Sequence, residues 1–151
     1  MNTKSITLFA CLLLLPLIVT AQEERPVAPG KFIITPDSPH GTLFILSETW
    51  ADVREVTGEL SRYCVQHYRD LSLKVNRYSM PYLSPVPVLY VEGFQDKTEA
   101  MRFFRELEER NPDFMQMNMI TAVWPLSQEN FYQVVYQESL KGYPGFFGEN
   151  Y

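Results

Sequence analysis

The chain has 151 residues and a formal net charge of −5, with 46% apolar, 14% aromatic and 21% charged residues. An acidic chain without a Lys/Arg cluster lacks the basic stripe that neutralises phosphates, which excludes a nucleic-acid binder and gives no attraction to an anionic membrane surface. The length suits one domain with its own core and is too short for two.

Residues 1–21 have the layout of a secretory signal peptide: Lys4, an apolar run from Ile6 to Val19, and small side chains before Gln22. Cleavage is expected after Ala21. The run is shorter than the roughly 20 residues that cross a bilayer as a helix, and no basic stop follows it, so no transmembrane segment is expected to be retained. Cys11 lies inside the apolar run, not after it, which argues against lipid attachment. Cys64 is then the single cysteine of the exported chain, and on the apolar stripe of a predicted helix it reads as a small buried hydrophobe. The expected destination is the periplasm or cell envelope, with release to the extracellular medium left open.

Residues 22–39 form a polar, Pro-rich N-terminal segment in which order is expected to begin near Phe32. "FIIT" and "TLFIL" read as extended, and the second is apolar on both faces, as a central strand is. Between residues 49 and 68, Val53, Val56, Leu60, Tyr63, Cys64 and Tyr68 recur at three and four, the mark of a helix capped by Ser47 or Thr49. "LSLKVNRY" alternates as a strand, with Leu71, Leu73 and Val75 to one side and Ser72, Lys74 and Asn76 to the other. "VPVLYVEGF" is a further strand. Asp96 and Glu99 then open a helix with a buried stripe of Ala100, Met101, Phe103, Phe104 and Leu107, stopped by Asn111-Pro112. A last strand is predicted over residues 117–124, and Ser127 caps a helix beginning "QENFYQVVYQ".

This order, β-α-β-β-α-β with further helical material at the C-terminus, predicts a single α+β domain over residues 40–151. The expected architecture is ferredoxin-like: an antiparallel four-stranded sheet with two helices on one face and additional C-terminal helices. The strands that precede the two helices are expected side by side at its centre.

No catalytic constellation emerges. His40 and His67 are isolated from one another and from any carboxylate or cysteine at metal-ligand spacing, no glycine-rich loop precedes a helix, and no serine sits in a nucleophile turn. The sequence therefore predicts a non-enzymatic protein without cofactor or metal. The candidate binding residues are Lys74, Asn76, Tyr90 and Glu92, placed on the sheet face away from the two helices, among the rings of Phe44 and Trp124. Such a mixture of rings and hydrogen-bonding groups suits a peptide or a glycan. Alternatively, the C-terminal helices cover that face and the rings are core. Phe131, Val134, Val135, Phe146 and Phe147 are expected to pack those helices on the sheet, with Tyr151 docking the chain end.

The C-terminal stretch carries Ser127, Glu129, Asn130 and Phe131, then Tyr136-Gln137, Phe146-Phe147 and Asn150-Tyr151. With the upstream "VEGFQDKTEAMRFFREL", it resembles the C-terminal domain of SprE/PorW-type tetratricopeptide proteins of the gliding and type IX secretion machinery of Bacteroidetes. The likeness covers approximately residues 40–151. It implies an exported envelope module that binds a protein partner. The chain departs from that family in having no tetratricopeptide array and no lipid-attachment cysteine. In shape and location it is also similar to the SPOR domain, which implies peptidoglycan or glycan binding as the alternative.

Overall fold

The computed structural model describes residues 31–47 and 50–151; the expected leader over residues 1–21, and Thr49 as a cap, lie outside them. Four strands and five helices follow in the order β1 (His40–Leu46), α1 (Trp50–His67), β2 (Lys74–Tyr78), β3 (Val88–Phe94), α2 (Lys97–Arg110), α3 (Asp113–Gln116), β4 (Ile120–Ser127), α4 (Gln128–Gln137) and α5 (Tyr143–Asn150). The fold is α+β, with one antiparallel sheet ordered β2-β3-β1-β4. The two strands that precede the long helices, β1 and β3, are its centre, as their apolar runs require.

The period-2 register sorts the sheet into two faces. Phe44 lies opposite Leu89 and Val123, and this set, with Val91 and Val75, meets the buried stripes of α1 and α2. Val53, Val56, Leu60, Phe103 and Leu107 are fully buried there, each worth about 1.5–3 kcal/mol by removal from water. Cys64 belongs to the same core, and burial pushes its thiol up to about 12, so it is a packing group.

Leu43 lies opposite Tyr90 and Trp124 on the second face, where Phe131 and Val134 of α4 and Tyr143 of α5 complete a separate apolar cluster. The face expected to be open is thus largely covered, and Phe44 is not part of it. The rings of Tyr90 and Trp124 pack under the C-terminal helices because a sheet apolar on both sides needs a layer on each.

Local chemistry explains the helix ends. Asp96 caps α2 by accepting from the Glu99 amide at 2.9 Å, while the Glu99 carboxylate accepts from the Gln95 amide at 2.8 Å. Asn111 closes α2 in the left-handed region at φ 40°, ahead of Pro112. Ser127 Oγ accepts from the Asn130 amide at 3.2 Å to open α4.

Two strand boundaries and one buried position differ from the sequence reading. The second strand begins at Lys74, because Ser72 is left-handed at φ 51° and breaks the extended run, although Leu71 and Leu73 still pack on the core. The last strand is Ile120–Ser127 instead of residues 117–124, since the one-turn α3 and a left-handed Asn118 at φ 56° occupy the preceding chain. It continues through Pro125, which is tolerated because β4 is an edge. Val135, expected to pack on the sheet, is 41% exposed, whereas Tyr143 is fully buried at the centre of the C-terminal layer.

"FIIT" joins no strand. Its backbone is held instead by α4, with the Ile33 N–H donating to Asn130 Oδ1 and Asn130 Nδ2 donating to the Ile33 carbonyl, each at 2.9 Å. Thr35 and Ser38 hydroxyls donate to the Glu129 carboxylate, and the Gln128 amide donates to the Pro39 carbonyl.

Candidate functional site

The candidate residues fall on one register. Lys74 is paired with Glu92 and Asn76 with Tyr90 across β2 and β3, so all four belong to the face that α4 covers. The cover is incomplete toward β2. There a cavity of about 460 Å³ opens between the β2–β3 pair and the start of α4, lined among others by Lys74, Tyr78, Tyr90, Glu92, Phe131 and Tyr132. Three of the four predicted residues border it; Asn76 stands on the same face outside the lining.

Its floor is rigid. The Tyr90 ring stacks on Phe131 with centroids 4.2 Å apart and planes at 16°, and Tyr78 stands against Phe131 at 5.4 Å. Tyr90 is 4% exposed, and its hydroxyl is pushed above the ordinary phenol range by burial first and the Glu92 charge second. Tyr90 is therefore a wall of the groove, held by the core, not a side chain reaching into solvent.

The rim is what a partner would meet. Tyr78 and Tyr132 are 36% and 56% exposed, and Gln128 donates to the Tyr132 hydroxyl at 3.0 Å. Lys74 and Glu92 face each other across the strands, yet among the described residues neither side chain forms a hydrogen bond or an ion pair within 4.0 Å. Both remain available to a ligand.

His40 closes one end. It is 2% exposed, its Nδ1 lies 2.7 Å from the Ser38 carbonyl and its Nε2 3.0 Å from the Tyr151 hydroxyl. Burial lowers its pKa, against the raising influence of the Ser38 carbonyl, Glu129 and Asp96. With the Nδ1 proton given to Ser38, the neutral ring accepts from Tyr151, so both nitrogens are spent on the fold.

Among the described residues no three His, Cys, Asp or Glu side chains gather in a way that could hold a metal ion. No helix among them is long and apolar enough to cross a membrane. What the groove offers is aromatic surface flanked by one free ammonium, one free carboxylate and amide groups, a set suited to recognition.

Sequence reasoning missed Tyr78 and Tyr132. The first was within reach, since the alternation that marks Lys74 and Asn76 continues two residues on to Tyr78. The second was not, because only the tertiary crossing of α4 brings Tyr132 over β2. No family model, no curated protein and no solved structure matches this chain.

Proposed function

We propose that this chain is an exported, non-enzymatic module of the cell envelope that binds a protein partner through the groove between β2 and α4. The observation that carries the reading is the groove's composition: rings fixed by the core at its floor, and Lys74 and Glu92 at its rim without partners among the described residues. A charged group left unpaired beside an apolar wall is a recognition element more than a stabilising one, because exposed charge contributes little to the fold. The strand order, read from the other edge as β4-β1-β3-β2, together with the β-α-β-β-α-β sequence of elements, supports a ferredoxin-like architecture with two added C-terminal helices. The leader-like residues 1–21 support export, and the resemblance of residues 40–151 to SprE/PorW-type C-terminal domains supports a partner in gliding or type IX secretion machinery.

The second reading is a peptidoglycan or glycan binder. It is favoured by Tyr78 and Tyr132, whose exposed rings could stack on sugar faces beside the hydrogen-bonding Gln128 and Glu92. One experiment separates the two. The protein is tagged and cross-linked in envelope fractions, beside a Tyr78→Ala/Tyr132→Ala variant that leaves the buried Tyr90–Phe131 stack intact. A discrete protein captured by the parent and lost from the variant supports the first reading. Co-sedimentation with purified peptidoglycan that depends on the same two tyrosines replaces it with the second, and capture insensitive to both substitutions removes the groove as the site.

A further inference from the structure

We propose that the outer edge of β2 receives an extended acidic segment of the partner protein, which adds to the sheet as a fifth strand and sends alternate side chains into the groove. The proposal rests on the protein-binding reading and names the chemistry of the partner.

β2 ends the sheet and pairs only with β3. Among the described residues no other backbone hydrogen bond reaches residues 74–78, so the outward N–H and C=O groups of the strand are unpaired by protein. The opposite edge is treated differently. β4 contains Pro125, which has no N–H to offer, and the buried Tyr143 hydroxyl donates to the Pro125 carbonyl. One edge of the sheet is blunted and the other is left able to pair.

Charge selects the guest. Lys74 and Arg77 are both exposed on β2, project to opposite faces, and form no ion pair or hydrogen bond among the described residues, in a chain whose net charge is −5. The neighbouring anions are Glu92, one strand further in, and Asp70, exposed in the preceding turn. β2 carries no carboxylate of its own, so the same edge of a second copy offers these two cations nothing to pair with, whereas an acidic segment does. An added strand directly opposite β2 places acidic residues three apart against Lys74 and Arg77. The next position beyond the Arg77 partner faces Tyr78, on the groove side, where Tyr78 and Tyr132 accept an aromatic or aliphatic side chain. Main-chain bonds then supply affinity and the groove supplies selectivity.

Random dodecapeptides displayed on phage are panned against the protein, with a Lys74→Glu/Arg77→Glu variant as counter-selection. The strongest binder is then synthesised with and without N-methylation of alternate backbone amides. The expected sequence carries two acidic residues three apart with an apolar neighbour. Its binding should weaken about tenfold or more in the charge-reversed variant, amide exchange at residues 74–78 should slow in the complex, and methylation should abolish binding on one set of alternate residues only. Binders without acidic residues, no binders at all, or indifference to methylation each overturn the proposal. If binding ignores methylation but requires Tyr78 and Tyr132, strand addition fails while the groove stands. Slowed exchange at β2 that tracks self-association assigns the edge to a second copy and also overturns it. Failure of envelope capture with the peptide results intact removes the envelope partner, not the edge.

Discussion

The side-chain amide of Asn130 on α4 pairs with both backbone groups of Ile33, 97 residues earlier in the chain, through two hydrogen bonds of 2.9 Å. Asn130 is fully buried and both hydrogen bonds are partly buried, so its removal takes the protein partner from each Ile33 group. Asn130→Ala should cost about 2–4 kcal/mol in urea unfolding and speed amide exchange at Ile33. Asn130→Asp keeps the acceptor but loses the donor, and burial raises the pKa of the new carboxyl in the fold. The sign follows: the protonated acid can donate to the Ile33 carbonyl, so this variant should approach wild-type stability near pH 4 and fall away as pH rises above the unfolded carboxyl's value of about 3.9. A loss independent of pH would show that the new carboxyl is not raised in the fold, so that its protonated form does not replace the Nδ2 donor.

Gly41 makes room for Tyr90. A Cβ added there would stand 2.2 Å from Tyr90 Cζ, and that ring cannot retreat because it is stacked on Phe131 and 4% exposed. Gly41→Ala should therefore destabilise by about 1–3 kcal/mol through a displaced ring and a shifted α4. In a Tyr90→Ala background the same substitution should cost much less, since the three atoms nearest the added Cβ all belong to that side chain. Equal costs in the two backgrounds would place the strain elsewhere. The shift should also reshape the groove, because Tyr90 and Phe131 line it.

Local and nonlocal causes divide what could be read from the sequence. The ends of α2 were legible because Asp96, Glu99 and Asn111-Pro112 act within a turn of the residues they cap. The centre of the sheet was legible because runs apolar at every position, such as Leu43 to Leu46, have no other place to go. The start of β4 was not, because it depends on Asn118 entering the left-handed region. Nor was the choice of Tyr143 over Val135 for burial, which depends on where Gly142 at φ 87° turns the chain into α5. Part of the groove's lining, Lys74, Tyr90 and Glu92, was visible as candidate residues on one sheet face, and their register was not. The wall supplied by α4 was hidden, because helix placement over a sheet is decided by packing and not by spacing.

Stability should fall as the medium is acidified from neutrality, and His40 is the cause to test. Its folded pKa is lowered by burial, so the unfolded chain binds the proton more readily than the fold does. The contribution is fully present above the unfolded value of about 6.5 and is lost as pH falls below it toward the folded value. Protonation also ends the acceptance at Nε2 and forces the Tyr151 hydroxyl, 3.0 Å away, to turn. Glu129 and Asp96 temper the effect and Lys97 adds to it. Melting temperatures from pH 7.5 to 5.5 should show a decline that is reduced in His40→Gln, whose neutral amide retains a hydrogen-bonding group. Parallel curves for the two proteins would assign the acid sensitivity to other groups.

Removal of residues 140–151 tests what the aromatic C-terminus is for. Tyr143 is fully buried, packs edge-on to Phe32 at 4.9 Å and to Trp124 at 6.0 Å, and donates its hydroxyl to the Pro125 carbonyl. Phe147 stands against Trp124 at 5.5 Å and stacks with Tyr151 at 5.0 Å. Loss of one such buried ring costs about 3–5 kcal/mol, and each kcal/mol moves a domain of this size by about 3–6 °C, so the truncated protein should melt more than about 10 °C lower. Tyr143→Phe, which keeps the ring and removes only the donor, should cost about 1–2 kcal/mol. The truncation has a further consequence that the point variant lacks: it uncovers the Trp124 and Leu126 face beside an edge strand, so it should self-associate in size-exclusion chromatography while Tyr143→Phe stays as the parent does. An unchanged melting temperature on truncation would mean that the closing rings are not structural, and would return them to the search for a binding surface.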